Sequence, residues 1–279
     1  MKAIFILSFL LATTFVFGQQ LKTTEKRVEI DLKDGRYNEH VYTMGNYGVV
    51  VMSFSKEGGV KTNINLYHDV YDTDLQLYET DPIEYDPYLP IMSTYETEDH
   101  IFHLAYRRKK RPISIYEFDV KNKTSKRLEM EYSGSEKFRG IEYFQVLGQQ
   151  AAAIGFSKSG VHFLSFDLEK QTVTSTPIYI EDFKPGRIIA TNMQYLEDAK
   201  KYYVSLRVYK TSKLTYAYLL DVDANGQLNT PIKIDESAGR FIKSITVSAV
   251  GESEVVIAGT YGNTSNGPNN GIYFGASND

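Results

Sequence analysis

Apolar and aromatic residues recur along the chain in short runs, separated by glycine, asparagine and aspartate. Runs of this length, rich in tyrosine, valine and isoleucine, are typical of β-strands. No amphipathic helical pattern follows residue 18. We place strands at 37–43, 48–54, 61–69 and 74–79; 89–95, 100–106, 112–119 and 126–131; 140–147, 150–156, 161–167 and 173–179; 188–195, 202–209, 214–222 and 228–234; and 241–248, 254–261 and 271–275. The pattern therefore predicts an all-β protein.

Two short markers repeat within this pattern. An aspartate follows an apolar strand and precedes an aliphatic residue at Asp69, Asp119, Asp167 and Asp221, which lie 50, 48 and 54 residues apart. An arginine next to glycine leads into a strand at Arg36, Arg139, Arg187 and Arg240. Four antiparallel strands in a unit of about 50 residues predict the blades of a β-propeller. A β-sandwich has strands at similar spacing but lacks this repeat.

The number of blades stays open. Five units are visible, and the fifth has only three strands. The segment Val28–Leu32 precedes the first marker and would supply the missing fourth strand, closing a five-bladed ring with no free edges. The alternative is a fragment of a six- to eight-bladed propeller. The domains we predict are a signal peptide at 1–18, a short segment at 19–27 and the propeller at 28–279.

The first eighteen residues, MKAIFILSFLLATTFVFG, have one cation, an apolar run and small residues near a cleavage point. This layout predicts a secretory signal peptide, and it resembles those of Bacteroidota. The apolar run is short for a membrane span, which needs about 20 residues, so a membrane anchor is the weaker alternative. The chain has no cysteine, which excludes disulfides and a lipoprotein anchor. We expect a periplasmic or extracellular protein without a membrane span after cleavage.

The repeated strand units resemble those of β-propeller repeat proteins of the secreted bacterial, Bacteroidota-like kind. Val255–Gly259, followed by Gly271–Phe274, is loosely similar to a kelch-type blade. The paired glycines of kelch are missing, and the chain has no tryptophan and hence no Trp-Asp dipeptide. The resemblance implies a fold and no specific family.

Charge divides the predicted loops into two faces. Because blade strands alternate in direction, the loops between second and third strands share one face with the linkers between blades. The most cationic of these loops holds five consecutive cations, Arg107, Arg108, Lys109, Lys110 and Arg111. The marker arginines also begin on this face. They either bind the carboxylate or phosphate of a ligand or pair with the linker acids Asp34, Glu136, Asp182 and Glu236.

The opposite face has acidic loops at 72–74, 96–99 and 251–254. The formal net charge of −4 argues against a general nucleic-acid partner. The basic face instead predicts an anionic glycan, an envelope component or another protein as the partner.

Motifs for catalysis or metal binding are missing from the sequence. His100 and His103 fall on opposite strand faces, and His40, His68 and His162 look isolated. Asp221–Gly226 begins like a calcium loop, but Ile232 occupies the twelfth position, so we expect a hairpin turn. The repeated aspartates are expected to bond turn backbone. We expect no cofactor and no metal.

The sequence therefore predicts an exported, non-catalytic binding module that acts through its basic face. The alternative is a propeller-type carbohydrate-active hydrolase or lyase. That alternative needs carboxylates directed into the channel, and Glu39 and Glu142 are the candidates.

Overall fold

Twenty β-strands and two short 3-10 turns form the described part of the chain. A computed structural model describes residues 36–56, 64–107, 112–209, 215–223, 225–235, 241–250, 254–263 and 268–278. The chain divides into two units, residues 1–34 and 35–279, and every described residue belongs to the second. The predicted signal peptide and the predicted strand at 28–32 lie outside the described residues.

The strands form five groups in chain order. The first group is β1 (Arg36–Thr43), β2 (Val49–Lys56), β3 (Ile64–Tyr71), β4 (Leu77–Tyr78) and β5 (Ile83–Tyr85). The second is β6 (Ile91–Glu96), β7 (His100–Tyr106), β8 (Ile113–Asp119) and β9 (Thr124–Tyr132), and the third is β10 (Gly140–Leu147), β11 (Gln150–Phe156), β12 (Val161–Asp167) and β13 (Thr172–Pro177). The fourth is β14 (Ile188–Leu196), β15 (Lys201–Tyr209), β16 (Thr215–Asp223) and β17 (Ile232–Asp235), and the fifth is β18 (Phe241–Val250), β19 (Glu254–Gly262) and β20 (Gly271–Asn278).

Each group is an antiparallel sheet whose neighbouring strands are consecutive in the chain, apart from β5, which pairs with β3. This topology, repeated along the chain, confirms the predicted β-propeller of repeated antiparallel blades. The first blade differs from its predicted form, because its fourth strand is interrupted. Both β4 and β5 pair with β3, and between them the Thr80 hydroxyl donates a 2.8 Å hydrogen bond to the His68 carbonyl. Pro82, which has no N–H for a strand ladder, lies at the interruption.

The first strand of every blade contains an irregularity near its beginning. The register shifts in β1 between Tyr37 and His40, in β6 between Ile91 and Ser93, in β10 between Glu142 and Gln145, in β14 between Ala190 and Asn192, and in β18 between Ile242 and Ser244. A bulge adds a residue to one strand and increases the local twist. The first strands of the five blades therefore share one backbone irregularity.

The core lies between neighbouring sheets. Separate clusters of buried side chains join the first blade to the second, the second to the third, the third to the fourth and the fourth to the fifth. Middle strands are covered on both faces, so β7 and β11 each have at least five consecutive buried residues. The outer strand β9 alternates over part of its length between buried and more exposed positions. The clusters of the described residues do not join the fifth blade to the first, and the blade number stays a prediction.

The second and third blades also join at their outer edges. The beginning of β13 pairs in parallel with the end of β9, with Thr172 opposite Glu131 and Val173 opposite Tyr132. The Glu131 N–H donates to the Gln171 carbonyl at 2.7 Å. This pairing covers part of two outer edges that would otherwise be open to another strand.

A glutamine side chain links the first strands of the third and fourth blades. The Gln145 Nε2 donates to the Met193 carbonyl at 3.2 Å, and the Tyr195 N–H donates to Gln145 Oε1 at 2.9 Å. The amide thus takes the place of one backbone peptide in a ladder between strands that do not pair directly.

Replacing Gln145 should weaken the joint between these blades. In Gln145→Ala the Tyr195 N–H and the Met193 carbonyl lose their partner, so we expect the free energy of unfolding to fall by about 1–3 kcal/mol. Urea unfolding measures the change. Gln149→Ala, at an exposed position in the turn before β11, is the control and should change stability by less than about 0.5 kcal/mol. Equal losses in the two variants would contradict the role of Gln145.

Two buried histidines meet between the first and second blades. The Nε2 atoms of His68 and His103 are 3.2 Å apart, and His103 Nδ1 lies 3.0 Å from the Thr94 hydroxyl. The prediction that His68 is isolated is wrong, because neighbouring sheets bring together residues that are 35 positions apart. His68 Nδ1 is buried without a hydrogen-bond partner among the described residues. Since an unpaired acceptor costs less than an unpaired N–H, we assign the shared proton to His68 Nε2.

Burial lowers the pKa of both imidazoles. For His68 the desolvation and the neighbouring His103 move the pKa well below 6.5. For His103 desolvation is the larger cause and His40 adds to it, and the pKa falls to about 3. Both side chains are therefore neutral in the folded protein at physiological pH.

Acid should destabilise the fold through this pair. In the unfolded chain both histidines bind protons below a pH of about 6.5, whereas the folded chain keeps them neutral. The free energy of unfolding should therefore fall as the pH decreases from about 6.5 towards the folded-state pKa of each histidine, about 3 for His103. At pH 5 the loss from His103 is about 2 kcal/mol, and His68 adds to it in the same direction.

Urea unfolding at pH 7 and pH 5 measures this loss. The double variant His68→Leu/His103→Leu replaces both polar partners by apolar groups, and its stability should depend less on pH than that of the original protein. His40→Gln, at an exposed position of β1, should keep most of the dependence. A double variant with unchanged pH dependence would show that the pair is not the source.

Candidate functional site

Only part of the predicted basic loop is within the described residues. Arg107 follows β7 and is half-buried, with its guanidinium carbon 5.1 Å from the ring centroid of Tyr88. Arg108, Lys109, Lys110 and Arg111 lie outside the described residues, and so does Arg240. The contribution of these five cations to a binding face stays a prediction.

Arg36 is held within the first blade. It forms an ion pair with Asp69, and its guanidinium carbon lies 3.9 Å from the ring centroid of Tyr67. The side chains of Arg36 and Asp69 are only 9% and 12% exposed. The partner of Arg36 is therefore a repeated strand aspartate and not a linker acid. Asp69 and Tyr67 lie on the same face of β3, so both can contact the guanidinium. Arg36 therefore links β1 to β3 across β2 and is committed to the fold.

The repeated aspartates have different partners in different blades. The expected turn role is confirmed for Asp119 and Asp167, whose carboxylates accept hydrogen bonds of 2.9 Å from the N–H groups of Asn122 and Lys170. Asp221 instead contacts the side chains of Asn229 and Lys201 at 2.8 and 3.0 Å.

In the first and fourth blades a later aspartate takes the turn role. Asp72 accepts from the N–H groups of Asp74 and Gln76, and Asp223 accepts from those of Asn225 and Gln227, at distances of 2.8–2.9 Å. The segment that resembled a calcium loop is therefore a hairpin turn, in which Gly226 has a φ of 82° that favours glycine.

Arg139 and Arg187 are the marker arginines with exposed side chains. Neither forms an ion pair with another described residue. Arg187 ends the 3-10 turn Pro185–Arg187, directly before β14. Arg187 therefore lies at the end of the linker between the third and fourth blades.

A cleft of about 520 Å³, which we call the charged cleft, lies beside this linker. Three cations line it, Lys184, Arg187 and Lys233, together with the carboxylates of Glu181 and Asp182. The four carboxylate oxygens can accept hydrogen bonds, and the three cations can donate them. Asp182 has a φ of 67°, a left-handed conformation that is uncommon for residues other than glycine.

Aromatic side chains form the wall of the charged cleft. Phe183 packs edge-on against Tyr216 and Tyr218, with ring centroids 5.9 and 6.4 Å apart. The Lys233 Nζ lies 4.3 Å from the centroid of Tyr216. Strand register explains this contact. The strand β17 pairs antiparallel with β16 and places Lys233 opposite Tyr218, and Tyr216 is two residues from Tyr218 on the same face of β16. Tyr209, at the end of β15, completes the aromatic lining.

The opposite face contains an acidic cluster around His100. Its Nδ1 lies 2.7 Å from Asp99, and its Nε2 lies 3.6 and 3.7 Å from Glu117 and Asp119. The hydrogen bond from His100 is the largest cause of a lowered pKa for Asp99. His103 points to the other side of β7, as predicted. Within the described ranges, no three histidine or carboxylate side chains are arranged to hold a metal ion.

The fold thus defines the class of the protein, a β-propeller. No family model and no curated protein sequence matches the chain. The chain is similar in structure to the β-propeller domain of the Trilobed protease from Pyrococcus furiosus, with a TM-score of 0.46 and 12% identity over 82% of this chain and 65% of that one. It is also similar to a protein from Lactobacillus plantarum, with a TM-score of 0.45 and 18% identity over 76% of this chain and 63% of that one.

A third similar structure is the subtype N10 neuraminidase-like protein of A/little yellow-shouldered bat/Guatemala/060/2010, with a TM-score of 0.39 and 11% identity over 77% of this chain and 74% of that one. This chain spans less than two thirds of the length of the first two structures. In the described part of the chain, no helix has the length and apolar character needed to cross a membrane.

Substitutions at Arg36 and Asp69 should separate a structural arginine from an exposed one. Arg36→Met leaves Asp69 buried without its cation, and we expect a loss of about 3 kcal/mol in the free energy of unfolding. The double variant Arg36→Met/Asp69→Leu should recover part of this loss because no unpaired charge remains. Arg139→Met, at the exposed equivalent position, should change stability by less than about 0.5 kcal/mol. Similar losses for Arg36→Met and Arg139→Met in urea unfolding would contradict this assignment.

Proposed function

We propose that this protein is a binding module and that the charged cleft is its ligand site, a site without catalytic function. The ligand class that fits this site is an acidic carbohydrate. The observation that carries the proposal is the position of Arg187, an exposed guanidinium without a described ion-pair partner, beside a wall of tyrosines. This arrangement places a donor for a carboxylate or sulfate next to flat aromatic surfaces.

The chemistry of the lining favours a ligand that has both charge and hydroxyl groups. The guanidinium can donate two parallel hydrogen bonds to one carboxylate or sulfate. The tyrosine rings offer apolar surface with a polar edge, on which a sugar ring can lie. Glu181 and Asp182 can accept hydrogen bonds from sugar hydroxyls. A simple phosphate would gain nothing from these two carboxylates, and they disfavour the closely spaced charges of a nucleic acid.

The volume of the cleft agrees with a ligand of this size. Sites for small molecules in proteins have volumes of roughly 300–1,000 Å³ and a few convergent polar groups. The charged cleft, at about 520 Å³, lies within this range. The cleft also lies on the face where the sequence places its cationic loops, so the proposal keeps the predicted basic face as its setting.

The location of the protein is part of the proposal. The layout of the first eighteen residues supports export to the periplasm or the cell exterior. Acidic glycans of the cell envelope are then the partners that the protein meets there.

The hydrolase or lyase alternative has less support. It depends on Glu39 and Glu142 as channel carboxylates, and the structure describes only the second of these side chains, which is exposed on β10. A glycosidase needs two carboxyl groups at a defined separation, and no such pair is on hand among the described side chains of this candidate site.

Binding measurements with Arg187→Ser test the proposed function. We expect the original protein to bind oligogalacturonate, a carboxylated sugar chain, more tightly than neutral dextran in calorimetry at low salt. Loss of the charged hydrogen bonds of Arg187 should weaken oligogalacturonate binding by roughly 10- to 100-fold. Heparin, a sulfated chain, shows whether the cleft prefers carboxylate or sulfate.

Lys121→Ser is the matched control, because it removes one exposed cation from the turn between β8 and β9 on the opposite face. It should leave affinity within about twofold. A third variant, in which residues 107–111 are all serine, measures the contribution of the predicted basic loop. The charged cleft is excluded as the site if Arg187→Ser and Lys121→Ser bind oligogalacturonate equally well.

A further inference from the structure

A second cleft, which we call the serine cleft, opens on the same face beside the third blade. Its volume is about 430 Å³, and its lining includes Ser159, His162 and Ser175. His162 looked isolated in the sequence, and this prediction is wrong. The strand β12 begins next to the loop that holds Ser159, and β13 pairs with β12 and presents Ser175, so hydroxyl groups from two different segments meet at one imidazole.

Both nitrogens of His162 have hydroxyl partners. Nε2 lies 3.0 Å from the Ser159 hydroxyl and 3.2 Å from the Ser157 hydroxyl. Nδ1 lies 3.0 Å from the Ser175 hydroxyl. The two serine oxygens Ser157 Oγ and Ser159 Oγ are 2.6 Å apart. The serines and the imidazole thus form one continuous hydrogen-bond network.

One assignment of protons satisfies this network. The His162 Nδ1–H donates to Ser175, which leaves the Nε2 lone pair free to accept from the Ser159 hydroxyl. The Ser157 hydroxyl then donates to Ser159 Oγ. In this arrangement Ser159 has a base on one side and a hydrogen-bond donor on the other. The base takes the proton of Ser159, and the donor stabilises negative charge that develops on its oxygen.

The base His162 and the hydroxyl of Ser159 differ in their exposure to solvent. His162 is only 3% exposed, whereas Ser159 is exposed to solvent. Burial lowers the pKa of His162, so the imidazole is neutral and able to accept a proton at neutral pH. The carboxylate of Glu136, which lines the same cleft, acts in the opposite direction and favours the imidazolium once it forms.

The loop that holds Ser159 has little freedom. The Ser157 N–H donates to the Gly160 carbonyl at 2.8 Å, which closes a tight turn, and the Ser159 N–H donates to Ser157 Oγ at 3.0 Å. Gly160 has a φ of 133°, and a Cβ at this residue would lie 2.7 Å from the Pro185 Cβ. The turn is therefore held in place by its own hydrogen bonds and by the neighbouring linker.

We propose that Ser159 is a nucleophile activated by His162 and that the serine cleft takes neutral carboxylic esters. Ser159 Oγ attacks the carbonyl carbon of the ester while His162 Nε2 takes its proton. The bond between this carbon and the alcohol oxygen breaks, and the alcohol leaves with the proton from Nε2. Water then adds to the acyl group on Ser159, which releases the carboxylic acid and restores the serine.

The lining of the cleft defines this substrate class. Tyr132 and the exposed ring of Tyr179 provide apolar surface for an acyl group or the body of the alcohol. Glu136 disfavours an anionic substrate through charge repulsion. The geometry matches the signature of an activated nucleophile, in which the base contacts the nucleophile and is itself oriented by a third group. Ser175 is this third group, and we assign it a positioning role.

A fluorophosphonate probe tests the proposal, since such a probe phosphonylates activated serines and eliminates fluoride. Intact-mass spectrometry of the original protein should show one added group, and peptide mapping should place it on Ser159. The label should be lost in Ser159→Ala, and the rate of labelling should fall by about 100-fold or more in His162→Gln. Ser248→Ala, which changes an exposed serine of β18 away from the lining of the serine cleft, should label at the original rate.

Hydrolysis of p-nitrophenyl acetate by the same variants gives a second readout. Ser159→Ala should remove enzymatic turnover and keep the urea unfolding midpoint, because Ser159 is exposed. Ser175→Ala should lower the rate and change its dependence on pH, since the imidazole loses its orienting partner. The proposal is overturned if the original protein does not label, if the label maps to another serine, or if Ser159→Ala hydrolyses the ester at the original rate.

Discussion

Face-to-face packing of neighbouring sheets is the interaction on which the rest of this structure depends. Each blade is a thin antiparallel sheet with apolar side chains on both faces, and no blade can bury them alone. The apolar side chains are therefore buried in separate clusters between neighbouring blades, and these clusters take the place of a single core. This packing explains the long buried runs in β7 and β11, and it explains why β9, at an outer edge, alternates. It also brings residues about 50 positions apart into contact, which is how Gln145 reaches Met193 and Tyr195.

Sequence predicts what depends on local chain properties and misses what depends on the neighbouring blade. The strands β10, β11 and β12 begin and end where the sequence pattern predicts, because alternating residues and turn residues such as Gly148 are local signals. The pairing of His68 with His103 was missed, since nothing within either strand indicates which side chain will lie opposite across an interface. The Ser159 network lies within the third blade and was also missed, although the short spacing of Ser157, Ser159 and His162 was a visible signal.

The repeat predicts positions more reliably than it predicts partners. Asp69 and Asp119 occupy the same place in their units, but the first pairs with Arg36 and the second fixes a turn. The side chains nearby decide which role is taken, and they differ between blades. The same reasoning applies to Tyr216 and His162, which each lie five residues before the repeated aspartate. One forms the wall of the charged cleft and the other is the base of the serine cleft, so chemistry varies where the backbone repeats.

The linker between the third and fourth blades connects the two clefts physically. Tyr179 near its beginning lines the serine cleft, and residues 181–184 and Arg187 line the charged cleft. The turn that holds Ser159 packs on Pro185 of the same linker through Gly160. A change in the backbone of this linker therefore acts on both clefts and cannot tell their roles apart. Arg187 and Ser159 carry their functional groups on exposed side chains, so substitutions there alter one cleft and leave the shared backbone in place.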